Sequence, residues 1–249
     1  MSTRPSPAAR SDPTGTPTSH TAHVRPAARP RWRRRKESRP GEIAAAALEL
    51  FVEHGYAATK LEDVASRAGV SKGTLYLYFR DKEDLFRAVV DRMVVPTVER
   101  GEAIAGRFDG SSGDLFRALL LDWWDSIRGS HRSGMTKLMV SESHNFPRAA
   151  EAFLKRVVLR RRRLLMQVLE RGIARGEFRP VDLELAVRLA VAPILLASIW
   201  EHSFRARDRD GIDTREMIRL HADIFLAGIA PGAGARSRSR SDTLRGGRR

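Results

Sequence analysis

Apolar side chains recur at helical spacing through the central part of this chain. The first such set is Ile43, Ala46, Ala47, Leu50 and Phe51. Residues at i, i+3, i+4, i+7 and i+8 lie on one face of an α-helix, and a glycine such as Gly55 commonly follows its end. The sequence has no alternating apolar and polar stretch of useful length, which a half-buried strand would require. An all-α fold is therefore expected.

The same spacing predicts the helices of the second half of the chain. They are expected near residues 114–130, 134–144, 147–175, 182–203 and 213–230. Pro96 should bend or interrupt the helix before it, because proline removes a backbone donor and clashes with the preceding turn. The run Leu185 to Trp200 is apolar on almost every face. Such a helix must be covered on all sides, and a second subunit is the expected cover.

End signals mark several short helices between residues 59 and 93. Thr59 and Glu62 have the spacing of a capping box, in which the threonine accepts a backbone N–H and the glutamate reaches back to the cap. Gly69 suits a left-handed C-terminal cap, while Ser71 and Asp81 precede the next two helices as N-caps. Two short helices joined by a tight turn with glycine form a helix-turn-helix, whose second helix enters the major groove of DNA.

The segment Gly69 to Gly73 also matches the Gly-x-Ser-x-Gly pattern of a hydrolase nucleophile elbow. That elbow needs a strand before the serine, whereas the residues before Ser71 are predicted to be a helix. A pattern with so few fixed positions often arises by chance. We interpret Ser71 as a helix cap and expect no catalytic residue.

The second helix of this unit has an unusual composition for a structural helix. Gly73 lies inside it, at a cost of about 1 kcal/mol relative to alanine, which favours a close approach of the backbone to another surface. Polar groups surround it, on Ser71, Lys72, Thr74, Tyr76 and Tyr78. Lys82 begins the next helix and offers a charge and a backbone N–H to a phosphate. The alternative is a small helical corner whose tyrosines pack inward.

The net charge of +15 is concentrated at the two ends of the chain. Residues 1–38 hold nine basic and two acidic residues, and residues 231–249 hold six basic and one acidic residue. Both ends are rich in Pro, Gly, Ser and Arg, which is typical of disorder. The basic residues 31–36 precede the first helix, where they either reach phosphates and the minor groove or form a solvated tail.

Composition excludes several other classes of protein. The chain has no cysteine, which excludes disulfides, thiolate metal sites and cysteine nucleophiles. The N-terminus lacks the apolar segment of a secretory signal. No apolar run is expected to reach the roughly 18 to 20 residues that span a bilayer. A cytoplasmic protein without membrane contact is therefore expected.

The run from Ile43 to Val90 resembles the N-terminal domain of TetR-family transcriptional regulators. The shared features are Phe51-x-x-x-Gly55-Tyr56, Thr59, Ala68-Gly69-Val70-Ser71, Thr74-Leu75-Tyr76-x-Tyr78-Phe79 and Lys82-Glu83. Lys60 departs from the pattern, since the family usually has a second threonine there; a phosphate contact through its charge remains open.

This resemblance implies that the protein contacts double-stranded DNA. The implied DNA-binding residues are Lys60, Ser71, Lys72, Gly73, Thr74, Tyr76, Tyr78 and Lys82. Tyr76 and Lys82 are expected to hold phosphates. Lys72, Thr74 and Tyr78 are expected to face base edges.

The C-terminal region is similar to the AefR-like subset of this family in segments 144–153 and 171–180. The resemblance implies binding of a small-molecule inducer and homodimerisation through the last two helices, and hence a roughly palindromic operator. The residues expected to line the ligand cavity are Trp123, Trp124, Met139, Phe146, Phe153 and Trp200. The alternative for each is a place in the ordinary core.

Two further groups of polar residues were considered as binding sites. His144, His202 and His221 share no helical turn with a carboxylate in a ligand-like arrangement, so neither a metal nor a cofactor is expected. In the run Arg160 to Arg163, the apolar stripe of the helix passes through positions 160 and 161. One arginine therefore lies near the core side, where it either extends to solvent, pairs with an acid, or faces an anionic ligand.

Together these features predict a homodimeric repressor without enzymatic activity, which a small molecule releases from its operator. The expected organisation is a disordered arm (1–38), a helix-turn-helix domain (39–95), a helical ligand-binding and dimerisation domain (96–230) and a disordered tail (231–249). The alternative is a binding protein or enzyme with the same fold that no longer regulates transcription.

Overall fold

The computed structural model describes residues 31–204, 207 and 211–232, and within them the regular elements are all helices. The all-α prediction is confirmed. The α-helices are α1 (Arg31–His54), α2 (Leu61–Arg67), α3 (Lys72–Tyr76), α4 (Lys82–Val89), α5 (Val95–Gly106), α6 (Ser112–Ile127), α7 (His131–Glu142), α8 (Pro147–Phe153), α9 (Leu159–Ala174), α10 (Leu183–Ser203) and α11 (Thr214–Ile229). Two π-helical segments, Val90–Val94 and Leu154–Val158, join α4 to α5 and α8 to α9.

The helices of the second half lie close to their predicted positions, with two differences. Helix α5 was not predicted. The expected helix 147–175 is divided by the π-helical segment Leu154–Val158. Pro96 interrupts regular α-helix as expected: it lies in the first turn of α5, where its missing N–H leaves no bond unmade.

Helix α1 begins at Arg31, ahead of the start expected from the sequence. The described part of the predicted arm, residues 31–38, is therefore helical. Arginine, lysine and glutamate have high helix propensities, and this basic run continues the helix on the N-terminal side of Pro40. The predictions for residues 1–30 and 233–249 lie outside the described residues.

Three predicted end signals in the first half are confirmed. Ser71 Oγ accepts the Thr74 N–H at 3.1 Å, and Asp81 Oδ1 accepts the Asp84 N–H at 2.7 Å. Gly69 has a φ of +63°, the left-handed conformation that glycine adopts without steric cost. These signals separate α2, α3 and α4.

Thr59 does not cap α2, so the capping-box prediction is wrong. Its buried hydroxyl points back to α1 and donates to the carbonyls of Leu50 (3.1 Å) and Gly55 (2.7 Å). Lys60 occupies the N-cap position without a side-chain hydrogen bond. Because the last carbonyls of a helix have no partner within it, Thr59 instead secures the turn that leaves α1.

The first hydrophobic core lies between α1 and α4 and includes α7. Phe51, Tyr56 and Phe86 form an aromatic cluster with ring centroids 5.2, 5.5 and 5.9 Å apart. Met135 and Leu138 of α7 are buried in the same core. The helix-turn-helix unit therefore shares its core with a helix that was expected in the other domain.

The second core lies between α6, α9, α10 and α11, where Leu120, Leu169, Ala190 and Ile218 are fully buried. By length and composition α10 is apolar enough to cross a membrane, so the expectation that no apolar run reaches this length is wrong. Arg188 interrupts the apolar run, but the 21-residue helix as a whole remains apolar enough. In the fold, one face of α10 packs within the second core.

Helix α7 approaches α1 closely at Gly134. A Cβ on Gly134 would lie 2.4 Å from Val52 Cγ1 and 3.2 Å from Val52 Cβ. Such distances are far inside van der Waals contact, so only glycine fits at this position while α1 and α7 keep their present separation.

We expect Gly134→Ala to lower the free energy of unfolding by about 1–3 kcal/mol, because the added methyl overlaps Val52. Adding Val52→Ala should recover part of this loss, since both changes act on one contact. Gly106→Ala is the control, because nothing lies within 4 Å of a Cβ at that exposed helical position. Chemical denaturation measures each variant. A loss for Gly134→Ala no larger than that for Gly106→Ala would contradict the close packing.

Candidate functional site

Helix α3 presents a short polar surface with an open backbone at its centre. Leu75 anchors the helix and is fully buried, whereas Ser71, Lys72 and Gly73 are exposed. A Cβ added to Gly73 would meet only Ser71 Oγ, at 3.9 Å. Nothing packed inside the described molecule therefore requires a glycine here, which leaves an external surface as the reason for it.

The polar side chains of α3 are linked to one another and to α2. Ser71 Oγ and Thr74 Oγ1 share a hydrogen bond of 2.9 Å. Lys72 Nζ lies 2.5 Å from Glu62 Oε1 and 5.9 Å from the centre of the Tyr76 ring. The hydrogen bond that Lys72 donates to Glu62 raises the pKa of Lys72, which keeps its charge at neutral pH. An ion pair this exposed contributes little stability, so Lys72 can exchange its partner for another acceptor.

Tyr76, the last residue of α3, and Tyr78, which follows the C-cap Leu77, have different surroundings. Tyr76 is 45% exposed. Tyr78 is half-buried and packs against the first core, with its ring centroid 6.4 Å from that of Phe79. The alternative interpretation, a helical corner whose tyrosines pack inward, therefore holds for Tyr78 but not for Tyr76. Leu77 was not singled out in the sequence analysis, yet it is 82% exposed beside these residues.

The ammonium group of Lys82 does not face outward, which corrects the expected phosphate contact of this side chain. Lys82 Nζ donates to the carbonyls of Tyr56 (2.8 Å), Ala57 (3.0 Å) and Thr59 (3.1 Å). These bonds use all three of its donors. The ammonium also lies 4.8 Å from the Tyr56 ring centre, and its burial lowers the pKa of Lys82. Lys82 thus fixes the loop between α1 and α2, while Lys60 is exposed on that loop.

A large cavity lies in the second half of the chain, between α6, α7, α8, α9 and α10. Its volume is about 910 Å³ and its walls are mainly apolar, as in sites for small organic ligands. Three of the predicted lining residues, Trp123, Met139 and Phe153, are among its walls.

The other three predicted lining residues lie elsewhere. Trp124 is 2% exposed within the second core. Phe146 packs edge-on against Tyr56 in the first core, with ring centroids 4.3 Å apart. Trp200 lies 4.9 Å from the ring of Phe204 and lines a separate, smaller pocket between α10 and α11. Successive residues of a helix point about 100° apart; here Trp123 faces the cavity, whereas Trp124 faces the second core.

The four consecutive arginines of α9 have different environments. Arg160 forms an ion pair with Glu102 at 2.6 Å, and Arg162 forms one with Glu184. Arg163 is exposed. Arg161 lines the cavity with Arg162, and Arg161 Nη2 donates to Thr97 Oγ1 at 2.5 Å.

The described residues contain no cluster of three His, Asp or Glu side chains with the geometry of a metal site. His202 Nε2 instead lies 2.6 Å from Ser133 Oγ, and burial lowers the pKa of His202. His221 Nε2 lies 2.9 Å from the Ala190 carbonyl. Both histidines connect neighbouring helices.

A short exposed helix after a glycine turn, anchored by one buried leucine, defines this protein as a helix-turn-helix DNA-binding protein. Comparison with known proteins agrees. Residues 43–89 match the family model of bacterial regulatory proteins, tetR family. Residues 109–214 match the model of the tetracyclin repressor-like C-terminal domain.

Individual relatives extend this match over most of the chain. The HTH-type transcriptional repressor KstR2 of Rhodococcus jostii is 28% identical over 197 residues, which cover 78% of this chain and 93% of KstR2. A TetR/AcrR-family regulator from Thermobifida fusca is 30% identical. The match covers 77% of this chain and 98% of that regulator, and the two structures superpose with a TM-score of 0.52. PfmR of Thermus thermophilus is 26% identical, with coverages of 74% and 96% and a TM-score of 0.60. This chain belongs to the TetR family and is a DNA-binding transcriptional regulator.

We expect Lys82→Met to lower the free energy of unfolding by about 1–3 kcal/mol, because three carbonyls lose their donor. The salt dependence of DNA binding should keep its slope, since the ammonium contacts no phosphate. In Lys60→Met, the matched control, stability should change by less than about 0.5 kcal/mol, while the slope falls by about one if Lys60 holds a phosphate. Denaturation and DNA titrations at several salt concentrations measure both quantities. Unchanged stability with a reduced slope in Lys82→Met would restore the phosphate role.

Proposed function

We propose that this protein is a cytoplasmic, homodimeric repressor that binds a roughly palindromic operator and is released from it by a small molecule. The observation that carries the proposal is the open backbone at Gly73, flanked by exposed donors on α3. The relative KstR2 of Rhodococcus jostii is named a transcriptional repressor, which supports repression as the direction of regulation.

The surface of α3 supports two kinds of DNA contact, one to base edges and one to phosphates. Lys72 and Thr74 lie beside Gly73 and are proposed to reach base edges, where lysine and threonine donate to purine acceptors. The exposed hydroxyl of Tyr76 and the charge of Lys60 are proposed to bind phosphates, which position a protein without reading sequence. Leu77 adds an apolar surface that fits the methyl group of a thymine.

Substitutions on α3 should separate these two kinds of contact. Lys72→Ala should cost about 1–3 kcal/mol on the operator and much less on random DNA, because a base-edge contact is lost. Tyr76→Phe should weaken binding to both DNAs alike, because a phosphate partner is lost. Mobility-shift titrations with the DNA flanking the gene and with random DNA measure both. Equal losses on the two DNAs for Lys72→Ala would contradict its assignment to a base.

Gly73→Leu tests the close approach itself. Gly73 is exposed and an added Cβ meets only Ser71 Oγ, at 3.9 Å, so the melting temperature should not fall, while specific DNA binding should be lost by a steric clash. Gly106→Leu, at an exposed position in α5, is the control and should leave DNA binding unchanged. Operator binding by folded Gly73→Leu protein would exclude α3 as the recognition helix.

The surface of α10 and α11 supports dimerisation. Leu185, Leu189 and Leu196 of α10 are 59%, 66% and 60% exposed, and Leu220 and Ile224 of α11 are 53% and 63% exposed. In each helix the neighbouring members of this set are four or seven residues apart, so they form a stripe along one face. A second copy of the chain is proposed to cover both stripes, which also accounts for an α10 that is apolar on nearly all sides.

Leu189→Arg and Ile224→Arg should each convert the dimer into a folded monomer, since a charge would be buried at the interface but exposed in the free chain. Gln167→Arg adds the same charge at an exposed position of α9 and should remain dimeric. Analytical ultracentrifugation at micromolar concentration measures the mass. Wild-type protein that sediments as a monomer and still binds the operator specifically would contradict the proposed assembly.

Helix α7 offers a direct route from the cavity to the DNA-binding unit. Thr136, Met139 and Val140 of α7 line the cavity, while Gly134 of the same helix lies against Val52 of α1. A ligand that moves α7 therefore also acts on α1. If it favours the conformation that does not bind DNA, a hundredfold loss of operator affinity requires about 2.7 kcal/mol of coupling.

A further inference from the structure

Arg161 combines four features that distinguish it from the other arginines in the described part of the chain. It lines the cavity, is partly buried, has a fixed position and has no acidic partner. Its guanidinium carbon lies 4.2 Å from the ring centre of Trp123, and its Nη2 is held by Thr97 Oγ1. Thr97 Oγ1 is itself fixed, since it donates to the Val94 carbonyl at 2.7 Å. Ring stacking and the hydrogen bond together pre-organise the cation before any ligand enters.

No carboxylate among the described residues lies within ion-pair distance of Arg161. Asp122 is the acid that acts on it, but Asp122 is bound to Arg100 at 2.6 Å. Burial lowers the pKa of Arg161 to about 9, so the guanidinium remains a cation at neutral pH although it is poorly solvated. A partly buried cation in this state is stabilised by any anion that reaches it.

The charges around the cavity also favour an anion. Glu151 is the only acid among the cavity walls in the described chain, and Lys155 pairs with it at 2.6 Å. Arg162 is neutralised by Glu184. Arg188 also lines the cavity, is exposed and forms no ion pair with a described residue. Arg161 and Arg188, neither of which forms an ion pair with a described residue, therefore both line a largely apolar cavity.

We propose that the cavity binds an apolar carboxylate, whose acid group pairs with Arg161 and whose hydrocarbon body contacts Met139, Phe153, Val157, Val187 and Leu195. This proposal rests on the proposed ligand-binding function and names the class of its ligand. A guanidinium has five N–H donors in a planar fork that matches a carboxylate. One nitrogen of Arg161 is used by Thr97, which leaves donors for the ligand.

The test compares straight-chain carboxylates from octanoate to hexadecanoate with the alcohols of the same lengths. Isothermal titration calorimetry on the full-length protein, without DNA, measures binding directly. Wild-type protein should bind the best carboxylate at least about tenfold more tightly than its alcohol, the usual value of a charged hydrogen bond. In Arg161→Met this preference should disappear, while alcohol binding stays within about twofold and shows that the cavity is intact. Arg163→Met, with an exposed arginine on the same helix, should keep the preference.

Several outcomes would overturn the assignment. They are equal affinities of acid and alcohol in wild-type protein, an acid preference that survives in Arg161→Met, or no binding of any acid in the series. Dodecanoyl-CoA tests a second source of negative charge. If it binds more tightly than dodecanoate and Arg161→Met leaves its affinity unchanged, the anionic group of the ligand lies elsewhere and the role of Arg161 is refuted.

Mobility shifts with operator DNA keep this test separate from the proposed function. If the acid binds through Arg161 but leaves DNA affinity unchanged, the ligand class is correct and the proposed release from the operator is contradicted. If the operator is bound and no acid preference exists, the ligand class alone fails.

Discussion

The packing of α7 against α1 is the contact on which the rest of this structure depends. Gly134 lets the two helices approach until Val52 fills the space where a side chain would begin. Met135 and Leu138 then complete the first core, which also contains Leu75 of α3. Helix α7 also forms one wall of the cavity. The helix-turn-helix unit and the cavity therefore share a helix, although the molecule has two separate hydrophobic cores. Closely packed side chains transmit a displacement and do not absorb it. A shift of α7 at the cavity must therefore also shift its contact with α1.

Features decided within a few residues could be predicted from the sequence. The caps at Ser71 and Asp81 and the left-handed turn at Gly69 each depend on chemistry within one helical turn. Thr59 and Lys82 were misinterpreted because their partners are distant. Thr59 bonds to Leu50, nine residues away, and Lys82 bonds to carbonyls 23 to 26 residues away. Sequence spacing carries no information about such bonds until the fold brings the groups together.

The cavity was harder to predict, because neighbouring residues of a helix with the same chemistry have different surroundings. Trp123 lines the cavity, whereas Trp124 is buried in the second core. The arginines of α9 show the same effect: Arg160 and Arg162 find acids, and Arg161 stacks on an indole. The apolar stripe indicated that one arginine lies near the core. Only the packing of α5, α6 and α10 around α9 decides which one.

The π-helical segment Leu154–Val158 sets the rotation of α9 within that packing, and with it which arginine stacks on Trp123. A π-turn is equivalent to one residue inserted in an α-helix, and one residue corresponds to roughly 100° of rotation about the helix axis. Everything after the segment is therefore turned relative to α8. Loss of a single residue here would rotate α9 relative to α8 and bring a neighbour of Arg161 to the Trp123 ring, without any substitution among the arginines of α9. A change in ligand chemistry can thus arise from chain length alone, through a deletion in the cavity wall that leaves every arginine of α9 in the sequence.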